Sequence, residues 1–322
     1  MRIHFQELFD TLHRVLIKTG FTNDRATLSS RLFAETTRDG VYTHGINRFQ
    51  RFMRMIENGS IDIHASPEKV VSMGALEKWD GRQGPGNINA YLSMERAIEL
   101  AKTNGIGCVA LANTNHWMRG GSYGWQAADA GMIGICWTNT LPNLPPWGAD
   151  KPLLGNNPLV IAVPRAGGHV VLDMAMSQFS FGALESYRER GEPLPVDGGY
   201  DGDGNLTRDA AAIEETGRVL PIGFWKGSGL SLVLDMIAAG LSGGLATHQI
   251  PVEPELETGI SQVFIAMNIS AKDAADRIIA DLKSVDGVRY PGERTLDLRR
   301  ENMEKGIPVE VQVWDDLQRM LV

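Results

Sequence analysis

The segment Gly105-Ile106-Gly107-Cys108-Val109-Ala110 decides which kind of α/β fold this 322-residue chain adopts. Its letters match G-x-G-x-x-A, the glycine pattern of a Rossmann dinucleotide site, which needs a strand before it and a helix after it. Here the order is reversed, because helical apolar spacing at Tyr91–Thr103 precedes the segment and a strand-like apolar run at Gly107–Asn113 follows it. The segment therefore predicts a helix end followed by a strand start, and a Rossmann domain is not expected.

Outward from this segment, short apolar runs alternate with helical patterns through the middle of the chain. Two runs, Leu159–Pro164 and Val170–Met174, are close enough to pair as a hairpin. Helical spacing dominates near both ends of the chain. The sequence thus predicts an α/β fold with a mixed sheet at residues 76–294. It also predicts a helical domain built from both chain ends, residues 1–75 with 295–322.

Composition and charge exclude several classes of protein. The chain is 43% hydrophobic and 22% charged, as in ordinary globular proteins, and its net charge of -8 argues against a nucleic-acid or membrane partner, which would need clustered Lys and Arg. Cys108 and Cys136 lie in apolar runs and predict buried thiols, and the first residues lack a signal-peptide pattern, so a cytoplasmic protein is expected. The apolar stretch Leu230–Leu241 contains Asp235 and is too short to span a membrane, which predicts a buried core helix.

The run Gly40–Phe49, GVYTHGINRF, sets an imidazole four residues before a guanidinium at an expected helix start. Residues i and i+4 share one face of a helix, so His44 and Arg48 are expected to project into the same space. Histidine can deliver a proton near neutral pH, and arginine offers a planar fork that matches a carboxylate. The pair suits a substrate with a carboxylate beside a reactive carbonyl. The alternative is a helix cap followed by a surface arginine.

The loop after the strand predicted at Gly107–Asn113 concentrates polar side chains and glycines. Because sites in α/β folds assemble at strand ends, Asn115, His116 and Arg119 are candidate substrate-binding residues. Two more polar loops, at residues 138–148 and 155–158, adjoin neighbouring strands and are expected to form the rim of the same pocket. The alternative is that all three are ordinary turns.

Two further features indicate charge chemistry. Asp173 lies in an apolar run, where an unpaired carboxylate is costly to bury, so a cationic or hydrogen-bonding partner is expected, with an imidazole as the natural candidate. Trp225 and Lys226 lie at a helix start, where backbone N–H groups and a lysine suit a phosphate. The alternative for this segment is a flexible helix start. The histidines lack metal-binding spacing, and no metal is expected.

Several longer runs resemble the type 2 malate/L-lactate dehydrogenase family of NAD(P)H-dependent oxidoreductases, and within it the branch of 2,3-diketo-L-gulonate reductases. The runs are GVYTHGINRF at 40–49, NHWMRGGSYGWQAA at 115–128, IGICWTN at 133–139, PPWGA at 145–149, LPVDGG at 194–199, FWKGSGLSLVLDMIA at 224–238 and GISQVFIA at 259–266. The resemblance covers essentially the whole chain. It implies a non-Rossmann cofactor domain, at residues 76–294, and a homodimer.

The resemblance also implies roles for individual residues. The catalytic acid falls on His44, the carboxylate-binding arginine on Arg48, and the aspartate that works with the histidine on Asp173. The nucleotide contacts fall on His169, Val170, Val171, Leu172, Asp173, Met174, Ala175, Trp225, Lys226, Gly292, Glu293 and Arg294. NADH is expected ahead of NADPH.

The expected activity is hydride transfer between nicotinamide and the C2 carbonyl of a small 2-oxo acid, either 2,3-diketo-L-gulonate or a related sugar acid. The alternatives on the same scaffold are a malate, L-lactate or ureidoglycolate dehydrogenase and a cyclic-imine (piperideine-2-carboxylate) reductase. An alternative outside the enzymes is a cytoplasmic sugar-acid binding protein. Decay of NADH absorbance with substrate separates an enzyme from a binding protein.

Overall fold

The structure, a computed structural model, describes residues 1–268 and 272–321. Its helices are α1 Phe5–Thr19, α2 Asn23–Arg38, α3 Ile46–Glu57, α4 Gly86–Asn104, α5 Gly121–Asp129, α6 Phe181–Arg190, α7 Ala210–Thr216, α8 Trp225–Ser242, α9 Lys272–Leu282, α10 Glu293–Lys305 and α11 Val311–Arg319. Its strands are β1 Arg2–Ile3, β2 Glu68–Met73, β3 Leu76–Asp80, β4 Ile106–Asn115, β5 Ile133–Thr138, β6 Leu159–Val163, β7 Val170–Met174, β8 Gly199–Tyr200, β9 Leu206–Thr207, β10 Thr258–Met267 and β11 Ile307–Pro308.

A seven-stranded sheet in the order β2-β3-β4-β10-β5-β6-β7 forms the centre of the molecule. β3 and β4 run parallel, and the other neighbouring strands are antiparallel. The sheet is therefore mixed, and the predicted fold class is confirmed. The predicted hairpin is also present, because β6 pairs with β7 and places Val160 opposite Asp173.

The segment around Gly105 has the structure that its context predicts. α4 ends at Asn104 and is capped by Gly105, whose φ of 78° is left-handed and favours glycine, and β4 begins at Ile106. The glycine letters therefore terminate a helix, which is the opposite of their arrangement in a Rossmann turn.

Helices from both ends of the chain share one apolar core. Leu12, Phe33 and Phe52 from α1, α2 and α3 pack in the same cluster as Ile307 and Trp314 from the last part of the chain. Pairing of β1 with β11 joins the same two regions. The limits of the two domains stay a prediction, and β2, which the predicted limits assign to the helical part, pairs with β3 at the sheet edge.

The structure differs from the sequence prediction at β3 and at α8. β3 was not predicted, because its sequence LEKWD carries too few apolar residues to stand out as a strand. The buried core helix predicted at Leu230–Leu241 is wrong, since α8 buries one stripe and leaves Val233 and Met236 exposed by 47% and 62%. The sequence also predicts a helix at Ala271–Val285, and its first residue lies outside the described residues. No helix in the described part of the chain has the length and hydropathy of a membrane span.

Candidate active site

A cleft of about 1060 Å³ opens between α3, the loop after β4, and β7. It brings together residues that are far apart in sequence, and its size suits a small-molecule ligand. The predicted site residues that line it are His44, Arg48, His116, Arg119, Val171, Leu172, Asp173, Ala175 and Gly292. The predicted rim loops contribute as well, through Thr140, Leu141, Asn143, Asn156 and Pro158.

His44 and Arg48 both face this cleft, although they do not share a helix. His44 ends a single 3-10 turn, Tyr42–His44, and α3 starts only at Ile46. The break lies at Gly45, whose backbone angles of φ -98° and ψ -127° are not helical. A Cβ atom there would lie 2.4 Å from the hydroxyl of Thr37, which accepts the N–H of Ile46 at 3.0 Å. The predicted shared helix face is therefore wrong, and the hydroxyl of Thr37 caps the first turn of α3 instead.

His44 lies beside a second imidazole. Its ring stacks on that of His116 with centroids 5.8 Å apart and an angle of 20° between the planes. His116 Nδ1 accepts the N–H of Met118 at 3.0 Å, so in the neutral ring the proton is on Nε2. The pKa of His44 is lowered to about 3, mainly by burial and in addition by the positive charges of Arg48, Arg119 and Arg51. Without an anion in the cleft, His44 is neutral at pH 7.

The Arg48 guanidinium is available to an anion. Among residues 1–268 and 272–321 it makes neither an ion pair nor a side-chain hydrogen bond, and burial together with the charge of Arg51 lowers its pKa to about 10. One turn further along α3, Arg51 is already engaged, because its guanidinium contacts Glu257 at 3.4 Å and the carbonyl of Pro254. The cleft therefore offers one unpaired guanidinium beside a neutral imidazole.

Asp173 faces the same space from β7. Its Oδ2 accepts the backbone N–H of Gly121 at 2.8 Å, at the start of α5. The expected imidazole partner is thus replaced by a backbone amide and by the charge of Arg119. The surrounding cleft walls partly desolvate Asp173 and raise its pKa, while the charge of Arg119 and the Gly121 N–H oppose that rise. Because the side chain stays open to solvent in the cleft, a bound ligand would strengthen the effect of burial.

Several predicted residues do not line the cleft. The Asn115 amide donates to the carbonyls of Gln83 and Gly84, at 2.8 and 3.0 Å. It thereby connects the end of β4 to the segment before α4. His169 contacts Asp129 at 3.0 Å and accepts the N–H of Arg165. The remaining predicted nucleotide residues outside the cleft are Val170, Met174, Trp225, Lys226, Glu293 and Arg294. Trp225 and Lys226 are exposed at the start of α8.

Five charged residues of the cleft were not predicted: Arg51, Arg54, Glu185, Glu214 and Glu257. Arg51 repeats the Arg48 position one turn later, and this spacing was a usable local signal. Glu257 is 4% exposed and lies just before β10, and its Oε1 accepts the N–H of Leu141 at 3.2 Å. Burial raises the pKa of Glu257, against the charges of Arg51 and Arg48. No local pattern marks this residue, because its partners come from distant parts of the chain.

The chain is similar to known proteins along almost its whole length. Residues 3–318 match the malate/L-lactate dehydrogenase family. The 2,3-diketo-L-gulonate reductase of Citrobacter koseri is 45% identical over 333 residues, covering 99% of this chain and 100% of that protein. The enzyme of the same name from Escherichia coli O1:K1 is 46% identical with the same coverage.

Solved structures of the family have the same fold. The δ1-piperideine-2-carboxylate reductase of Pseudomonas syringae superposes with a TM-score of 0.90 at 27% identity, covering 99% of each chain. The sulfolactate dehydrogenase of Methanocaldococcus jannaschii gives 0.91 at 28% identity, covering 99% of this chain and 96% of that one. The chain belongs to the malate/L-lactate dehydrogenase family and is an oxidoreductase, which confirms the resemblance predicted from its sequence runs.

Proposed function

We propose that this protein reduces the C2 carbonyl of a small 2-oxo acid to the 2-hydroxy acid, with a reduced nicotinamide dinucleotide as hydride donor. The substrate class is a sugar-derived 2-oxo acid such as 2,3-diketo-L-gulonate, in line with the relatives of that name. The observation that carries the proposal is the unpaired Arg48 beside His44 in one cleft. A carboxylate binder next to a proton carrier suits an acid with an adjacent carbonyl.

The residues of the cleft divide the work of binding and proton transfer. Arg48 binds the substrate carboxylate through two parallel hydrogen bonds. That anion offsets a positive charge that lowers the pKa of His44, so substrate binding raises this pKa and favours uptake of a proton. His44 then delivers the proton to the C2 oxygen, while the Nε2–H of His116 is available to orient a polar group of the substrate. Asp173 supplies negative charge on the opposite wall.

The second half of the cleft fits a nicotinamide dinucleotide. Trp125, Val171 and Pro291 give this wall an indole and apolar surface, against which a planar ring can pack. The Trp125 Nε1 donor is buried and has no hydrogen-bond partner among the described residues, so it is available to a ligand acceptor. When bound, the reduced nicotinamide supplies the hydride. We infer NADH ahead of NADPH.

The nucleotide roles of the residues outside the cleft also stay part of the proposal. Lys226, with Trp225, is proposed to bind the cofactor phosphates, and its exposure at a helix N-terminus supports this assignment. Nucleotide contacts are also proposed for His169 and for Gly292-Glu293-Arg294, of which Gly292 lines the cleft. The proposed setting is the cytoplasm, and the free thiols of Cys108 and Cys136 support a reducing compartment.

A homodimer is the proposed assembly. The outer face of α8 exposes Leu230, Val233, Met236 and Ile237, which recur at helical spacing and form one apolar stripe. Apolar stripes of this kind mark association surfaces in soluble proteins.

The test is steady-state oxidation of NADH and NADPH with a panel of 2-oxo acids. The panel contains 2,3-diketo-L-gulonate, oxaloacetate, pyruvate, sulfopyruvate and the cyclic imine δ1-piperideine-2-carboxylate. We expect the highest kcat/KM for the sugar acid with NADH. His44→Gln should lower kcat about 10²-fold or more without changing NADH affinity, because proton delivery acts in the transition state.

The matched control is His64→Gln, which removes an exposed imidazole outside the cleft. It should leave kcat unchanged. A wild-type kcat in His44→Gln would show that His44 does not deliver the proton. Binding of NADH without turnover of any compound in the panel would favour a sugar-acid binding protein instead.

A further inference from the structure

Asp39 lies five residues before His44, at the end of α2, and forms the centre of an arginine cluster behind the cleft wall. Its carboxylate is 3% exposed. Oδ2 accepts from Arg119 at 2.7 Å and from Arg299 at 2.8 Å, and Oδ1 accepts from Arg299 and from Arg38, both at 2.9 Å. Three guanidinium groups thus share one carboxylate.

The cluster joins three parts of the molecule at the cleft. Arg119 comes from the loop after β4 and lines the cleft itself. Arg299 comes from α10 and stacks over the ring of Trp125, another cleft residue, at 4.6 Å from the ring centroid. Burial opposes ionisation of Asp39, but the hydrogen bond from Arg299 and the charges of Arg119 and Arg38 outweigh it and lower the pKa to about 2. Asp39 therefore stays charged throughout the physiological range.

We propose that Asp39 is a positioning residue for the reaction: it holds the Arg119 guanidinium in the cleft wall and thereby fixes the positive charge that His44 and Asp173 face. This inference rests on the proposed function of the cleft. Among the described residues, Asp39 is the acceptor that fixes this guanidinium, since Nη1 of Arg119 donates to it and the buried Nε has no partner. Without Asp39, the Arg119 guanidinium loses the one side-chain hydrogen bond that it makes among the described residues.

The charge of Arg119 acts on both His44 and Asp173, the two groups of the proposed chemistry. The groups that face His44 are Arg48 and Arg51 from α3, together with Arg119 and His116 from the loop after β4. Asp173 faces Arg119, the N–H of Gly121 and the thiol of Cys136. Arg119 is the charged side chain common to both sets, and its charge lowers the pKa of His44 and of Asp173 alike.

The direction of the pKa change in Asp39→Asn separates positioning from a direct effect of charge. If Asp39 fixes Arg119, the variant releases that guanidinium, and the pKa of both His44 and Asp173 rises. If Asp39 acts only through its own negative charge, the same substitution lowers both pKa values. The two mechanisms therefore predict opposite shifts.

The experiment compares four purified proteins: wild type, Asp39→Asn, the double variant Asp39→Asn with Arg299→Met, and the control Asp297→Asn. The double variant removes one guanidinium together with the carboxylate, so the net charge of the cluster is unchanged. The control removes an exposed carboxylate of α10 that pairs with Arg300 at 2.6 Å. The measurements are kcat, KM, the pH profile of kcat, and the NMR titration of His44, assigned from the His44→Gln spectrum.

We expect kcat to fall at least tenfold in Asp39→Asn and in the double variant, with the His44 titration and the pH profile of kcat shifted upward. KM should change less than kcat, and the control should match wild type. The double variant, monitored by thermal unfolding, carries the test if the single variant does not fold. Recovery of wild-type kcat in the double variant would show that Asp39 only balances charge, and a downward His44 shift would also overturn the proposal. If the wild type itself turns over none of the 2-oxo acids, the proposed function fails, and the His44 titration still decides the role of Asp39.

Discussion

At the scale of single residues, the proposed binding of an anion in the cleft depends on the guanidinium of Arg48. Arg48 has no ion-pair partner among the described residues, whereas Arg51 and Arg54 on the same helix contact Glu257 and Glu255. A carboxylate entering the cleft therefore meets Arg48 as the available cation. The surrounding arginines add attraction without competing for the same hydrogen bonds.

The first prediction concerns the shape of that cation. Arg48→Lys should raise KM for a 2-oxo acid about 10- to 100-fold, because an ammonium cannot form two parallel hydrogen bonds to a carboxylate. The methyl ester of the same acid should respond much less. Steady-state kinetics with the acid and the ester measure this, and equal losses for the two compounds would mean that Arg48 does not hold the carboxylate.

The second prediction concerns the proton of His44. The pKa of about 3 in the free cleft should rise when a carboxylate offsets the charge of Arg48. The bound state then holds more protons than the free state at pH values between the two pKa values. Binding should take up protons there and weaken as the pH rises.

Calorimetry with oxamate, a 2-oxo acid analogue that cannot be reduced, tests this on the NADH-saturated enzyme. The binding enthalpy should vary with the ionisation enthalpy of the buffer between pH 5 and 7, with the sign of proton uptake. His44→Gln should remove most of this dependence. A buffer-independent enthalpy in the wild type would exclude proton uptake by His44.

Local sequence predicted some of these residues because their relation is local. His44 and Arg48 are four residues apart, and the loop with His116 and Arg119 follows a recognisable strand. Asp39 could not be connected with Arg119 and Arg299 in this way, because the three residues meet only after α2, β4 and α10 have packed. Glu257 was missed for the same reason.

At the scale of elements, one ion pair attaches β3 to α4. Glu77 is 1% exposed and receives two hydrogen bonds from Arg96, at 2.8 and 3.0 Å, and one from Trp79 at 2.9 Å. The hydrogen bonds from Arg96 lower the pKa of Glu77 to about 2, against the effect of burial. The strand that sequence patterns did not reveal is thus attached to α4 by a polar contact, in addition to its pairing with β2 and β4.

The third prediction follows from this contact. Glu77→Gln should lower the free energy of unfolding by about 2 kcal/mol at pH 7, because it removes a buried partner of a charged hydrogen-bond network. A carboxyl whose pKa is lowered by folding stabilises above its unfolded pKa. The wild-type advantage over the variant should therefore disappear as the pH falls from about 4.5 to about 2.

Urea unfolding of both proteins across this pH range measures the difference. The control is Glu99→Gln, which removes a half-exposed carboxylate that pairs with Arg96 on the same helix. Its cost should stay below about 0.5 kcal/mol. If the two variants lose the same stability, the burial of Glu77 does not matter.

At the scale of the whole molecule, the sequence predicted α8 correctly as a helix but wrongly as a helix buried in the core. Its length and apolar composition predicted a helix, and α8 is one. Apolar residues occur on every face of α8. The sequence therefore could not show that only the stripe with Ser231, Leu234 and Ala238 would be covered by the sheet. The uncovered stripe is the proposed association surface.

The fourth prediction tests that surface. Met236→Glu should convert a homodimer to monomers, because it places a charge in the centre of an apolar contact. Light scattering after size-exclusion chromatography measures the mass. Met303→Glu on α10, which alters another exposed methionine, should keep the wild-type mass. An unchanged mass in Met236→Glu would place the interface elsewhere or exclude it.

The position of β10 has a consequence for how the chain folds during synthesis. β10 lies between β4 and β5 and pairs with both, although it follows them by a long stretch of chain. While the ribosome adds residues between Thr138 and Thr258, each of these two strands lacks its central partner and presents an open edge. The sheet can close only late, through contacts between distant segments, which makes folding slow. The nascent chain is therefore most prone to aggregate before β10 emerges, and it is at this stage that a chaperone has most to protect.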